Sequence, residues 1–115
     1  MEIRRLQAGK RMSQAVVHNG TVYLAGQVAG DTDQDVAGQT RQILASIEVL
    51  LKEAGSDKTR ILSALVVLAD MGTFAEMNSA WDAWVAPGNP PARATIEAKL
   101  AAPKYRVEIV VTAAA

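Results

Sequence analysis

The residues best suited to chemistry lie in the last two predicted strands of the 115-residue chain. In the first of these, about residues 92–100, strand alternation puts Arg93, Thr95 and Glu97 on one face. In the second, Glu108 stands inside an apolar run, where an unpaired carboxylate is costly. Either Arg93 and Glu108 form an ion pair across the strands, or Arg93 grips a substrate carboxylate beside a carboxylate that handles water. On these residues alone the ion pair is favoured.

A third candidate is Asn78, which falls on the apolar stripe of a predicted helix between Met77 and Trp81. A buried amide without hydrogen-bond partners costs about 1–3 kcal/mol. Asn78 therefore either bonds backbone groups inside the core or faces a cleft, and the sequence leaves both alternatives open.

Metal and nucleophile chemistry finds little support in the composition. The chain has no Cys and one His, His18 beside a turn, so we expect neither a thiolate nor a zinc site. Asp31, Asp33 and Asp35 imitate the start of a calcium loop, but Val36 stands where that loop needs Gly. We interpret them as a polar loop and expect no metal.

The charge balance argues against nucleic-acid and membrane partners. Twelve Lys and Arg residues offset twelve Asp and Glu residues, which leaves no field to gather polyanions. The basic residues Arg4, Arg5, Lys10 and Arg11 are interpreted as a solvated edge. The N-terminus lacks an apolar signal segment, and the apolar run Leu65–Ala69 is too short to span a bilayer. We expect a cytoplasmic protein.

The strongest local signal is a β-hairpin near the N-terminus. Two β-prone runs, 15–18 and 21–24, flank Asn19 and Gly20, which suit a type I′ turn because both central residues need positive φ. A further strand is expected near residues 2–6.

Two helices and a buried strand follow. Apolar spacing predicts a helix over 36–54, with Asp35 as N-cap and Gly55 just past its end. The nearly continuous apolar run 61–69 predicts a strand buried on both faces.

Thr73 and Glu76 form a capping-box pattern at the start of the second helix. Its predicted apolar face consists of Phe74, Met77, Trp81 and Val85. The helix should end before Pro87, and strands over about 92–100 and 105–113 complete the chain.

The predicted order β-β-β-α-β-α-β-β gives one α+β domain over residues 1–115, with two helices on one face of the sheet. The last strand puts Val107, Ile109 and Val111 on one face, yet Val110 on the other is also apolar. A second apolar face needs a cover, which self-association supplies. The pattern therefore predicts an oligomer without fixing its number of subunits.

Four segments, in this order, resemble the RidA (YjgF-type) family of reactive-intermediate deaminases. They are Tyr23–Gln27, Val67–Asp70 continuing through Phe74–Asn78, Pro91–Thr95, and Arg106–Ile109. The stretches 78–85 and 103–108 are most similar to the YoaB-like subgroup. The resemblance extends from about Arg11 to Thr112.

This resemblance implies a chorismate-mutase-like fold of the bacterial trimeric type, a homotrimer with clefts between subunits. It also implies hydrolysis of enamines and imines, such as 2-aminoacrylate and 2-imino acids, to 2-oxo acids and ammonia without metal or organic cofactor. The expected activity is that of a 2-iminobutanoate/2-iminopropanoate-type deaminase, with a small 2-imino or 2-oxo acid as its ligand.

Residue by residue, the resemblance assigns roles to five positions. Arg93 would bind the substrate carboxylate, and Glu108 would position or activate the attacking water. Gly26 would offer its backbone to the substrate. Asn78 matches a helix Asn near the cleft, and Thr95 stands where the family often has Cys.

Two positions depart from the family pattern. Met12 stands where many members have Tyr, and Ala25 where they have Ser. The alternative function is therefore a non-catalytic sensor or carrier that binds small carboxylates in the same cleft. An RNA-directed role is a third hypothesis, against which the neutral charge argues.

Overall fold

The elements follow the order β-β-β-α-β-α-β-β that the hydrophobic pattern predicts, and the α+β class is confirmed. The computed structural model describes all 115 residues. Its strands are β1 (Ile3–Leu6), β2 (Ala15–His18), β3 (Thr21–Leu24), β4 (Ile61–Leu68), β5 (Ala92–Glu97) and β6 (Val107–Ala114); its helices are α1 (Val36–Glu53) and α2 (Phe74–Trp84). Neither helix is long and apolar enough to cross a membrane.

The strands form one sheet in the order β1-β2-β3-β6-β4-β5, with β5 at an edge. Only β4 and β5 pair in parallel, because α2 connects them as a crossover. The connection between β5 and β6 takes up residues 98–106. The two strands therefore stop short of the predicted 92–100 and 105–113 at their facing ends.

Local sequence signals set the first turn and the first helix as predicted. Asn19 and Gly20 have φ of 53° and 78°, so both central residues of the hairpin turn lie in the left-handed region. The Asp35 side chain accepts a hydrogen bond from the Gly38 N–H at 2.8 Å and caps α1. Gly55 follows that helix with φ of 86°.

The predicted capping box at the start of α2 is wrong. The residues Met71–Thr73 form a short 3-10 helix, which leaves Thr73 without the extended backbone that an N-cap needs. Its hydroxyl donates to the Asp70 carbonyl at 2.7 Å instead. Glu76 accepts from the Ala37 N–H at 3.0 Å, so it satisfies the first turn of α1 rather than its own helix.

Both helices cover the same face of the sheet, as predicted. The side chains of β6 that face them are fully buried: Val107, Ile109, Val111 and Ala113. The alternate residues of β6 are only partly buried, and this second side of the sheet is called the open face below. On β4 the prediction of burial on both faces is confirmed only in part within one chain: Val67 on the open face is buried, whereas Leu62 is 53% exposed and Leu65 only half-buried.

Candidate functional site

Arg93 lies on the helix-covered side of the sheet, on the edge strand β5. Its register partner on β4 is Ala64, which pairs in turn with Val111 of β6. Residues paired across strands share a face, and both partners are buried against the helices. The Arg93 side chain therefore points toward α2.

Two aromatic rings of α2 contact the Arg93 guanidinium. Its Cζ lies 5.0 Å from the ring centroid of Trp81 and 5.9 Å from that of Phe74. These distances suit cation–π contacts. The chain has one ion pair, between Lys58 and Glu48, so no carboxylate lies within ion-pair distance of Arg93. The guanidinium is thus held by rings and keeps its N–H donors for another partner.

Asn78 belongs to the same surroundings. Phe74, Asn78 and Trp81 lie at positions i, i+4 and i+7 of α2, so they share one side of the helix. The Asn78 Oδ1 atom is buried and accepts no hydrogen bond. Asn78 Oδ1 therefore lacks the hydrogen bond to a backbone group in the core that one of the two alternatives from the sequence required. Thr95, half-buried, follows on the same face as Arg93. These five residues are called the arginine cluster.

Glu108 occupies the open face. It pairs with Val67 of β4, which pairs in turn with Ile96 of β5, so its neighbours in the sheet are apolar. Its carboxylate makes no hydrogen bond or ion pair within the chain. Glu108 is half-buried and is the only charged residue among these paired positions.

Gly26 lies directly beneath the Glu108 side chain. A Cβ on residue 26 would come within 2.9 Å of Glu108 Cδ and overlap its carboxylate oxygen. Only glycine allows this approach of backbone to carboxylate. The family resemblance assigned roles to Gly26 and Glu108 separately, and the structure brings them together. Glu108, Gly26 and Ala25 are called the carboxylate cluster.

The segment around Gly26 is fixed on both sides by backbone hydrogen bonds. The Ala25 N–H donates to the Gln14 carbonyl at 2.9 Å, and Gln27 and Ile109 exchange N–H···O bonds of 2.9 and 3.1 Å. Met12 lies in the loop before β2 and is 49% exposed. The structure therefore holds Gly26 rigidly and leaves Met12 on the surface.

The predicted ion pair between Arg93 and Glu108 is wrong. The two side chains lie on opposite faces of the sheet, and β4 separates their strands. Because β5 and β6 follow one another in the chain, they were expected to pair. The crossover helix α2 instead pairs β5 with β4, the strand that precedes the helix. Within one chain the two candidate catalytic residues do not share a site.

Sequence reasoning missed the aromatic side of the arginine cluster. Trp81 is a core residue as predicted, whereas Phe74 is 40% exposed, and the sequence did not show that both rings contact Arg93. Their spacing around Asn78 was the available signal. No group of three or more His, Asp or Glu side chains is arranged to hold a metal ion.

Asp57, in the exposed segment before β4, lies outside both clusters. Hydrogen bonds from the Thr59 side chain and backbone lower the pKa of its carboxyl group. This feature stabilises a local turn and has no part in the candidate site.

Comparison with known proteins agrees with the fold and with the sequence segments. Residues 2–115 match the family described as endoribonuclease L-PSP. The RutC family protein YoaB of Escherichia coli is 47% identical over 114 residues, 99% of each chain. A crystal structure of a YjgF family member from Neisseria meningitidis has a TM-score of 0.97 at 49% identity, covering 99% of this chain and 95% of that one.

A more distant relative carries an enzymatic name. The 2-iminobutanoate/2-iminopropanoate deaminase of Rattus norvegicus is 33% identical over 103 residues, which cover 84% of this chain and 74% of the rat protein. The chain belongs to the endoribonuclease L-PSP family, also known as the YjgF or RidA family, and YoaB is among its relatives of high identity.

Proposed function

We propose that this protein is a cofactor-independent deaminase that hydrolyses 2-imino acids and their enamine tautomers to 2-oxo acids and ammonia. The observation that carries the proposal is that the side chains of Arg93 and Glu108 both lack a hydrogen-bond or ion-pair partner within the chain, on opposite faces of one sheet. An unpaired arginine is the chemical complement of a substrate carboxylate, and an unpaired carboxylate can act on water. The rat relative has the name of such an activity.

We further propose that the site forms between two copies of the chain, in a homotrimer of single domains that each span residues 1–115. In a cyclic trimer every interface is heterologous, so one surface of a subunit meets a different surface of the next. Arg93 on the edge strand β5 of one copy would then approach Glu108 and Gly26 on the open face of its neighbour. The same contact would cover the apolar residues of that face.

In this arrangement the chemistry needs no nucleophilic side chain. Arg93 binds the carboxylate through two parallel N–H···O bonds, and the Gly26 backbone lies against the substrate. Glu108 takes a proton from water as the water oxygen bonds to the imine carbon. Glu108 returns this proton to the nitrogen of the adduct formed from the protonated imine, and it then takes the remaining hydroxyl proton as the C=O forms, the C–N bond breaks and ammonia leaves. General-base catalysis, which contributes about 10²–10⁴-fold, and positioning of the substrate together account for the rate acceleration.

The test mixes two inactive variants. Arg93→Ala and Glu108→Gln subunits are each expected to give trimers that do not accelerate ammonia release from imines generated by an amino-acid oxidase. Co-assembled one to one, they should regain about a quarter of the wild-type activity, because one site in four pairs an intact Arg93 with an intact Glu108. Arg41→Ala, an exposed arginine on α1, serves as the charge-matched control.

Two results would overturn the proposal. A folded Arg93→Ala variant with full activity would remove the carboxylate contact from the mechanism. A co-assembled mixture that stays inactive, although each variant forms the native oligomer, would show that the site is not shared between copies.

The second candidate function is a non-catalytic protein that binds small carboxylates. Met12 and Ala25, at positions where many relatives have Tyr and Ser, favour it, because two polar groups are then absent. This function predicts saturable binding of pyruvate with no acceleration of any imine hydrolysis. An RNA-directed role predicts instead RNA binding that weakens steeply with salt, which a chain of zero net charge is not expected to show.

A further inference from the structure

We infer that Trp81 is a positioning residue for Arg93: its ring holds the guanidinium so that the N–H donors stay free for the carboxylate of a planar 2-oxo or 2-imino acid. The inference rests on the proposed function, because it concerns the same Arg93. It adds a residue for which neither the sequence pattern nor the resemblance gave a role.

Two carboxylates on the same elements as Arg93 and its aromatic rings are engaged elsewhere. Glu97, on the same face of β5, accepts a hydrogen bond from the Met71 N–H at 2.9 Å. Glu76 of α2 accepts from the Ala37 N–H at 3.0 Å. Each carboxylate satisfies a backbone donor at the start of a helical segment. These two carboxylates therefore make backbone hydrogen bonds, and Arg93 has no ion-pair partner that would compete with a bound anion.

The aromatic contact holds the cation without such competition. The π face of an aromatic ring attracts the flat face of a guanidinium, whereas carboxylates bind to the N–H groups at the edge of the guanidinium plane. An arginine held by a ring therefore keeps its full charge and its bidentate edge. A freely moving arginine side chain loses conformational entropy when it binds a ligand. Contact with the ring has already restricted the Arg93 side chain, which favours its affinity for a carboxylate.

Trp81 is better fixed than Phe74 and is the main support. The Trp81 ring is nearer to Arg93, 5% exposed, and part of the hydrophobic core. It also packs against the Trp84 ring, with centroids 5.5 Å apart and planes inclined by 57°. Phe74 is the first residue of α2 and is 40% exposed. The buried ring sets the position of the guanidinium, and the exposed ring forms a wall beside it.

The experiment compares Trp81→Leu with Trp81→Phe in the full-length protein. Pyruvate is the probe, its Kd is measured by calorimetry, and kcat and KM are measured with oxidase-generated imines. Trp81→Leu should weaken pyruvate binding about 5- to 30-fold and raise KM by the same factor with kcat unchanged. Trp81→Phe should stay within about 3-fold of the parent, because an aromatic face remains.

Trp84→Phe is the matched control, since Trp84 contacts the Trp81 ring but not Arg93. It should bind pyruvate like the parent. If Trp81→Leu does not fold, Trp81→Met replaces it, with the same expected loss, because methionine also removes the aromatic face.

Several outcomes would overturn the inference. These are pyruvate binding by Trp81→Leu as tight as by the parent, pyruvate binding by Trp81→Phe as weak as by Trp81→Leu, and a fall in kcat at constant KM. A parent protein that binds no pyruvate would also overturn it. A parent that binds pyruvate through Trp81 and Arg93 yet hydrolyses no imine would refute the proposed deaminase activity and leave this inference standing.

Discussion

The arginine cluster and the carboxylate cluster differ in how far one chain completes them. Arg93 lies against two rings of α2, and the neighbouring acidic groups are bound to backbone N–H groups. Glu108 has a rigid glycine beneath it and only apolar neighbours in the sheet. The arginine cluster is organised by packing within the chain, whereas the carboxylate of the carboxylate cluster has no polar partner within the chain.

The difference shows where stability and function oppose each other. Covering the open face would bury Val110 and Leu65 favourably, at about 25 cal/mol per Å² of apolar surface. The same cover would desolvate Glu108, which is unfavourable unless a polar partner meets it. A water molecule and the Arg93–substrate pair of a neighbouring copy would supply that partner. The substitutions that follow test this contrast.

Val110→Lys should have the largest effect. Val110 lies on the open face, two residues from Glu108, and a charge there would be buried without a partner in the assembly. We expect monomers at micromolar concentration by sedimentation and no deaminase activity, because each site would lack its second half. Val49→Lys, at a valine 64% exposed on α1, should leave the oligomer unchanged. A Val110→Lys protein that remains trimeric would show that the open face is not the interface.

Glu108→Gln should separate activity from stability. We expect kcat to fall by about 10²–10⁴-fold, because the amide cannot accept the proton from water. The melting temperature should hold or rise, since a carboxylate among apolar residues is removed. Glu48→Gln, which alters the surface pair with Lys58, is the control for both readouts and should change neither. Normal turnover by Glu108→Gln would exclude Glu108 as the base.

Gly26→Ala should disturb the carboxylate cluster without unfolding it. The added Cβ overlaps the Glu108 carboxylate, which is the far end of a flexible side chain and can move aside. We expect kcat/KM to fall by roughly 10-fold or more, as for a misplaced catalytic group, with little change in the denaturation midpoint. Gly30→Ala is the control, since no atom lies within 4 Å of a Cβ there. Equal activities for the two variants would argue against a role for the Gly26–Glu108 contact.

Asn78→Leu should have the smallest effect, and in the stabilising direction. The Asn78 Oδ1 atom is buried without a partner, so its removal relieves an unfavourable desolvation. We expect the free energy of unfolding to rise by about 1 kcal/mol, measured by urea denaturation. Ser79→Leu, the next and exposed residue, corrects for the helix propensity of leucine. A clear loss of stability in Asn78→Leu would indicate that the amide serves the core rather than a cleft.

Much of the fold could be predicted because its signals are local. Positive φ at Asn19 and Gly20 fixes the hairpin turn, and Asp35 and Gly55 delimit α1 within a few residues of their own positions. The alternation along β6 also assigned its faces correctly, since side-chain direction in a strand depends only on residue parity. The order of elements followed from these signals.

Part of the candidate site was predictable in the same way, but only as separate residues. The sequence identified Arg93, Glu108, Gly26 and Asn78, while their catalytic and binding roles remain predictions. It did not show that Glu108 rests on Gly26, because those residues are distant in sequence. It also misassigned Phe74 to the core, since periodicity reports the side of a helix but not what covers it.

The sequence by itself determined which residues turn, which alternate and which carry charge, because short-range sterics and hydrogen bonds decide these within a few residues. Only the tertiary structure decided that Arg93 and Glu108 face opposite ways. The parallel pairing of β5 with β4 placed β4 between them and aligned Arg93 with the buried Ala64. Strand order and register depend on the packing of whole elements, so no local pattern contains them.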